Sequence, residues 1–331
     1  MRRALPAALL APLLFPASAL DASGPDLRIV SAPAVSLREA PGTTGERVAR
    51  LALGTIVTEL ARTGGVDTIA GETAPWLDVS TPTGEKGWLF GALTLPWSDA
   101  ERDALALEIA DDRLRRRGDS FEAIEELHAF LSRAAASAAT ADARARLELA
   151  ALRALDRAGE AVVFRRRRDP VVVAWAEANA RDLVWNEPAA RWIVVADRYW
   201  ELHERSASLP AADEIAWAAA RAQLPGECEG DVPCNVAWLA RTDVRYLERH
   251  PRGARADEAL SNVAVALDAA VEDPRGAGLF AGSSPEDLGR MSGDLDRLKR
   301  ALAPLDDPRA RAARSAADAL LARAAVAGGP R

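Results

Sequence analysis

The chain has 331 residues, of which 49% are hydrophobic and 27% charged, a balance that is ordinary for globular proteins and excludes long disordered stretches. This length predicts two domains, because a single hydrophobic core usually stops growing before it is reached. The formal net charge is −7, so the molecule as a whole repels phosphate backbones, and we expect no nucleic-acid partner.

The first segment has the three parts of an export signal. Arg2 and Arg3 give a positive start, residues 4–15 form an apolar stretch, and residues 17–19 read Ala-Ser-Ala, a small-residue cleavage pattern. A buried N-terminal helix is the alternative, but the prolines in this segment would break it. We therefore predict a signal peptide over residues 1–19 and a periplasmic or secreted mature protein. No later run is long and apolar enough for a spanning helix, so no membrane span is expected.

Residues 20–97 are predicted to form a small β-barrel. Strand-length runs rich in β-branched and aromatic residues lie at Leu27–Val30, Val35–Arg38, Thr55–Leu60, Trp76–Val79 and Gly87–Phe90. Glycine and proline residues separate these runs. Several short strands with turns at this spacing are typical of a barrel.

The same region resembles the bacterial SH3-like domain family. The residues that carry the resemblance are Leu37-Arg38, Pro41, Gly54, the Trp76-x-x-Val79 strand and the Gly84-x-x-Gly87-Trp88 hairpin. A longer segment from Ala61 to Pro75 departs from the family pattern.

The resemblance implies binding, since such domains commonly attach exported bacterial proteins to cell-wall peptidoglycan or to peptide ligands. It gives four candidate binding residues, Arg38, Trp76, Trp88 and Phe90, of which Trp76 and Phe90 would form an exposed aromatic groove. The alternative is that the motif residues are structural, the glycines serving turns and the aromatic side chains serving the core. The sequence does not determine which face of each strand points outward.

From residue 98 to residue 331 the pattern becomes helical. The sequence Ser98-x-x-Glu101 predicts a capping box that opens a helix running to Arg117, with Gly118 as its stop. Asp169-Pro170, Ser284-Pro285 and Asp307-Pro308 are further helix starts, each with a capping side chain followed by proline. We expect about eight to ten helices in this domain.

Two helical pairs look like copies of one unit. Residues 198–203 and 212–215 parallel residues 245–250 and 256–259, and the tyrosines Tyr199 and Tyr246 are 47 positions apart. This half weakly resembles tetratricopeptide-like helical repeats, which stack into α-solenoids. A non-repeating helical bundle is the alternative. The fold class is thus multidomain, all-β plus all-α, with a small SH3-like β-barrel followed by an α-helical bundle or α-solenoid.

The chain has two cysteines, and they are close in sequence. Cys228 and Cys234 flank a short loop that contains Gly230 and Pro233, so the two sulfur atoms can meet. In an oxidising compartment this predicts a disulfide. A zinc site would need further ligands, and a catalytic thiol would need a base nearby.

Recognisable catalytic motifs are missing from the sequence. His128, His203 and His250 are each expected to close a helix, where a histidine can cap carbonyl groups. No HExxH pattern, catalytic triad context or phosphate-binding loop is present. We expect no metal, no cofactor and no enzymatic activity.

These observations predict a non-catalytic adaptor of the bacterial cell envelope. The barrel would contact peptidoglycan or peptide, and the helical domain would hold a protein partner. The alternatives are a peptidoglycan hydrolase and an envelope assembly factor that binds only protein.

Overall fold

A computed structural model describes residues 26–162, 166–280 and 282–327 of the chain. The predicted signal peptide over residues 1–19 lies outside the described residues.

The N-terminal region is a β-domain. Its strands are β1 (Leu27–Val30), β2 (Val35–Arg38), β3 (Arg47–Leu51), β4 (Ile56–Arg62), β5 (Asp67–Ile69), β6 (Glu72–Ala74), β7 (Trp76–Ser80), β8 (Lys86–Phe90) and β9 (Thr94–Pro96). Seven of them form an antiparallel sheet in the order β3-β2-β8-β7-β4-β1-β9, while β5 and β6 pair as a separate hairpin. All five predicted strands are confirmed to within a few residues; β3, β9 and the β5–β6 hairpin were not predicted.

The large sheet curls around its own hydrophobic core. One cluster of buried residues draws on six of the seven strands, from Leu51 of β3 to Val30 of β1. Five strand spacings separate β3 from β1, which in a flat sheet would place them about 24 Å apart. Residues of both strands can share one core only if the sheet wraps, as in an SH3-like domain.

The rest of the chain is mainly helical, as predicted. Its helices are α1 (Arg102–Arg115), α2 (Phe121–Ala136), α3 (Ala141–Ala161), α4 (Pro170–Ala178), α5 (Ala196–Ser206), α6 (Ala212–Arg221), α7 (Val232–Arg241), α8 (Asp243–Arg249), α9 (Ala256–Val271), α10 (Pro285–Leu302) and α11 (Pro308–Ala327). A two-stranded hairpin of β10 (Leu183–Asn186) and β11 (Arg191–Val194) interrupts them and was not predicted.

Most of the predicted helix starts are confirmed, and one is wrong. Asp169 accepts a hydrogen bond from the backbone N–H of Val171, and Ser284 forms a complete capping box with Asp287. The box predicted for Ser98 and Glu101 does not form, because residues 98–101 make a turn in which the Glu101 N–H donates to the Ser98 carbonyl at 3.0 Å. Helix α1 therefore begins only at Arg102.

The β-domain and the first three helices share a second apolar core. Ile29 and Leu53 of the β-domain belong to the same buried cluster as Phe130 and Leu131 of α2. The Leu53 backbone N–H donates to Glu126 Oε1 at 2.6 Å. The domains are therefore joined by packing as well as by the chain.

The two predicted helical copies, α5–α6 and α8–α9, contact each other, which is consistent with helical repeats. Tyr246 of α8 donates its hydroxyl to Asp213 Oδ1 of α6 at 2.6 Å, and His203 lies against His250. The helix-end expectation holds for His250, which follows α8, and for His203 in the last turn of α5. It is wrong for His128, which lies in the middle of α2.

The predicted disulfide is confirmed. Cys228 and Cys234 are bonded, with their Cα atoms 5.4 Å apart, just before and inside the first turn of α7. Asp231 caps this helix by accepting from the Cys234 N–H at 2.8 Å. Across the described helices, none combines the length and hydropathy that crossing a membrane requires.

Candidate functional site

The four candidate binding residues all lie on the outer face of the sheet. Residues that face each other on neighbouring antiparallel strands point to the same side. Arg38 faces Trp88, Trp88 faces Asp78, and Trp76 faces Phe90. The residues that alternate with them, such as Leu37, Leu77 and Leu89, fill the core on the other side.

The strand register continues this face by one more residue. Arg47 of β3 is opposite Arg38 of β2, next to a bulge in β3 at Val48. We call Arg47, Arg38, Trp88 and Asp78 the outer row. Lys86 lies two residues before Trp88 on β8 and is exposed on the same face.

Two glycines hold the strands of the outer row in place. Gly84 has a φ of +95° in the turn between β7 and β8, a backbone conformation that favours glycine. Gly87 packs against β2, where an added Cβ would lie 2.5 Å from the Arg38 carbonyl oxygen. Close approach of β8 to β2 at this point places Trp88 beside Arg38.

The same turn is tied together by its side chains. The Glu85 carboxylate accepts hydrogen bonds from the hydroxyls of Thr81 and Thr83, which together lower the pKa of Glu85. The Glu85 N–H also donates to Thr81 Oγ1 at 3.1 Å. This local network fixes the β7–β8 hairpin that carries Trp88 and Asp78.

The predicted exposed groove of Trp76 and Phe90 does not form. Trp76 is 5% exposed and Phe90 4% exposed, and their ring centroids are 5.7 Å apart. Ile69 of β5 and Ala74 of β6 pack against them, and Trp76 Nε1 donates to Asp67 Oδ2 at 2.6 Å. The β5–β6 hairpin, formed by the segment that departs from the family pattern, thus covers this pair of aromatic rings.

The open part of the face is centred on Trp88, which is half-buried. Arg38 is also half-buried, and its Nη1 donates to the Gly45 carbonyl at 2.6 Å, leaving the other guanidinium nitrogens to face a ligand. With Arg47 and Lys86, this side of Trp88 is basic, whereas Asp78 is acidic. A flat ring between cationic and anionic groups suits a ligand with an apolar face and charged ends, such as a short peptide.

Sequence reasoning missed Arg47 and Asp67. The strand around Arg47 is rich in arginine, and only its pairing with β2 shows that it extends the row. The sequence does not show that Asp67 accepts a hydrogen bond from Trp76. This role is visible only in the structure, where the hairpin brings the Asp67 carboxylate to the indole N–H. Within the described ranges, no cluster of histidine, cysteine or acidic residues is arranged to hold a metal ion.

Comparison with protein families identifies the β-domain. Residues 33–94 match the family model described as the bacterial SH3 domain. The match begins just before β2 and ends at the first residue of β9, so it contains the whole outer row. Comparisons with curated proteins and with solved structures gave no match. The chain therefore carries a bacterial SH3 domain, to which a larger helical domain is joined.

Proposed function

We propose that this protein is an exported binding protein of the bacterial envelope, which contacts peptidoglycan or a wall-derived peptide through the outer row and does not cleave it. The observation that carries the proposal is the match to the bacterial SH3 domain over the strands that hold Arg38 and Trp88. Domains of this family suggest a cell-wall-binding role, and the outer row supplies an accessible aromatic ring with charged neighbours.

Two features support an extracytoplasmic location. The first residues of the sequence have the pattern of a cleavable export signal. The Cys228–Cys234 pair is bonded, which is typical of proteins in oxidising compartments. Intact mass of the exported protein tests both points: we expect loss of residues 1–19 and no free thiol, and retention of those residues contradicts the export prediction.

The binding proposal is tested by co-sedimentation of the full mature chain with purified peptidoglycan. The full chain is needed because the β-domain shares a core with α1–α3. Replacing Trp88 by alanine removes the central ring of the row and should weaken binding about tenfold or more, as for other central aromatic contacts. Arg38→Gln should weaken it less.

Matched controls separate these effects from general changes. Leu60→Ala removes an apolar side chain that is 49% exposed on β4, and Arg144→Gln removes one positive charge from an exposed position of α3. Both variants should sediment like the parent chain. If the parent chain does not sediment with the wall, or if Trp88→Ala binds equally well, the wall-binding proposal is wrong.

The helical domain is proposed to hold a protein partner, because helical repeats present extended surfaces for protein contacts. Purification of the chain from envelope extracts, followed by mass spectrometry, tests this part. If a protein partner is recovered and the chain does not bind the wall, the results would favour an assembly factor that binds only protein. Release of soluble wall fragments by the purified chain, abolished by changing a single acidic residue or histidine, would favour a hydrolase.

A further inference from the structure

The positively charged residues of the SH3 domain fall into two groups. Residues 26–97 contain six of them. Arg28 and Arg62 are ion-paired with Glu59, at 3.6 and 2.6 Å. The other four bond to no carboxylate in the part of the chain that the structure describes, and we call them the basic patch: Arg38, Arg47, Arg50 and Lys86.

The basic patch lies on one face of the sheet, on three neighbouring strands. Arg47 and Arg50 of β3 are opposite Arg38 and Ser36 of β2, which alternate with buried residues and therefore face outward. Lys86 lies on β8, the next strand in the sheet order. Two strand spacings separate β3 from β8, so the patch is about 10 Å wide. All four cations can therefore act on one ligand.

The acidic residues next in sequence do not neutralise the patch. Glu39 follows Arg38, Glu46 precedes Arg47, and the Glu39 N–H donates to the Glu46 carbonyl at 3.0 Å. Because side chains alternate along paired strands, both carboxylates are directed to the other face of the sheet. The Glu85 carboxylate is bonded to two threonine hydroxyls in the β7–β8 turn. The patch thus keeps a positive excess.

The surroundings of the patch indicate the kind of anion. The patch adjoins Trp88 on one side, and Asp78 lies on the other side of this ring. A continuous anionic surface would also meet Asp78, whereas a ligand with a localised negative charge can avoid it. Guanidinium and ammonium donors are the usual partners of a carboxylate, and the indole can contact an apolar segment beside it.

We propose that the basic patch binds free carboxylates of the wall peptides, so that the outer row selects peptides whose carboxyl groups are neither amidated nor used in a cross-link. This inference rests on the proposed wall binding and names the chemical group that is recognised. The whole chain has a net charge of −7, so a general attraction to anions would not account for such binding.

Co-sedimentation of the full mature chain with two samples of purified peptidoglycan tests the proposal. In one sample the carboxyl groups are amidated with a carbodiimide and ammonia, and the other is carried through the same steps without the carbodiimide. We expect binding to the amidated wall to be weaker by about tenfold or more. Binding to the unmodified wall should also weaken between about 0.1 M and about 1 M salt, as the screening length falls from about 10 Å to about 3 Å.

The variants are chosen to keep the fold. Arg47 and Arg50 are exposed on the edge strand β3, and replacing both by glutamine should weaken binding to the unmodified wall about tenfold. Lys86→Gln, on a different strand, should weaken it about threefold. Arg144→Gln is the control, because it removes a similarly exposed positive charge from α3. It should bind both wall samples like the parent chain.

The possible outcomes separate this inference from the wall-binding proposal. Equal binding to the amidated and unmodified walls, or unchanged binding by the double arginine variant, would overturn the inference and leave wall binding in place. Failure to sediment with the unmodified wall would overturn both. Tighter binding to vesicles of phosphatidylglycerol than to the unmodified wall would assign the patch to an anionic lipid surface and would also overturn the inference.

Discussion

His203 and His250 meet through their Nε2 atoms, which are 2.8 Å apart although the residues are 47 positions apart in sequence. One nitrogen must donate and the other accept, so the contact exists only while at least one ring is neutral. Burial is the main cause that lowers the pKa of both side chains, and for His203 it brings the value to about 4. The contact joins the equivalent helices of the two helical pairs.

The histidine pair should make the helical domain less stable in mild acid. A histidine whose pKa is lowered by folding favours the native state above its unfolded pKa of about 6.5, and this contribution is lost as the pH falls toward the folded value. For His203 this loss takes place between about pH 6.5 and about pH 4, where the neutral ring becomes protonated. Thermal unfolding across this range measures it.

His203→Gln is the matched variant for this prediction, because glutamine can still bond to His250 but does not titrate. The nearby charges of Glu204, Arg245 and Arg249 are unchanged by it. We expect the melting temperature of the variant to fall less over this pH range than that of the parent chain. If the melting temperatures of the variant and of the parent chain fall equally with pH, other titrating groups cause the loss of stability in acid.

Gly54 should be intolerant of any side chain because it lies where the two domains meet. An added Cβ would be 2.4 Å from the Phe130 ring, and the φ of Gly54 is +84°. Gly54→Ala therefore adds a clash to backbone strain, and we expect a loss of about 2–4 kcal/mol in the free energy of unfolding. Gly84→Ala is the control for strain alone, since φ is +95° there with nothing within 4 Å, and should lose about 1–2 kcal/mol. Denaturant unfolding compares them; similar losses would argue against tight packing at Phe130.

Trp76 and Trp88 should respond differently to truncation. Trp76 is buried under the β5–β6 hairpin and bonded to Asp67, so Trp76→Ala should destabilise the chain by about 3–5 kcal/mol. Trp88 is half-buried, and Trp88→Ala should cost about 1–2 kcal/mol while reducing wall binding. Melting curves recorded beside the sedimentation assay separate the two roles. A small effect of Trp76→Ala on stability would mean that the hairpin does not need the indole.

Loss of the disulfide should have a moderate effect on stability. Cys228 and Cys234 close a short loop, and replacing both by serine should lower the free energy of unfolding by about 2 kcal/mol. The free energy of unfolding of the variant should be the same with and without a reductant. That of the parent chain should fall when the reductant is added. Melting curves with and without a reductant test this; a parent chain that does not respond to the reductant would contradict it.

Local patterns were sufficient for much of the fold. Strands such as Val35–Arg38 alternate apolar and polar residues and end at turns. Proline after Asp169 or Ser284 marks a helix start without help from the rest of the chain. Strand β3 was missed because Arg47–Leu51 has little hydrophobic alternation and is a strand only through its pairing with β2. The β10–β11 hairpin was missed because alanine-rich helical segments surround it.

The candidate site was predicted in part, for a similar reason. The positions of Arg38 and Trp88 followed from family motifs, but the burial of Trp76 and Phe90 depends on a hairpin that departs from those motifs. A cleft whose lining includes Arg153, Arg191 and Tyr199 could not be foreseen either, since these residues come from α3, β11 and α5. The repeat pattern did align Tyr199 with Tyr246, yet only the contacts show that the Tyr246 hydroxyl is bonded to Asp213.

The shared core around Ile29, Leu53 and Phe130 also has a mechanical consequence. A domain joined by a flexible linker can rotate freely after it has bound its ligand. Here the Leu53 N–H is instead bonded to Glu126 across the junction between the domains. A chain attached through Trp88 would hold its helices at a fixed angle to the attachment surface. Anything that the helical domain carries would then be presented in one orientation, and force applied to it would pass through side-chain packing to the SH3 domain.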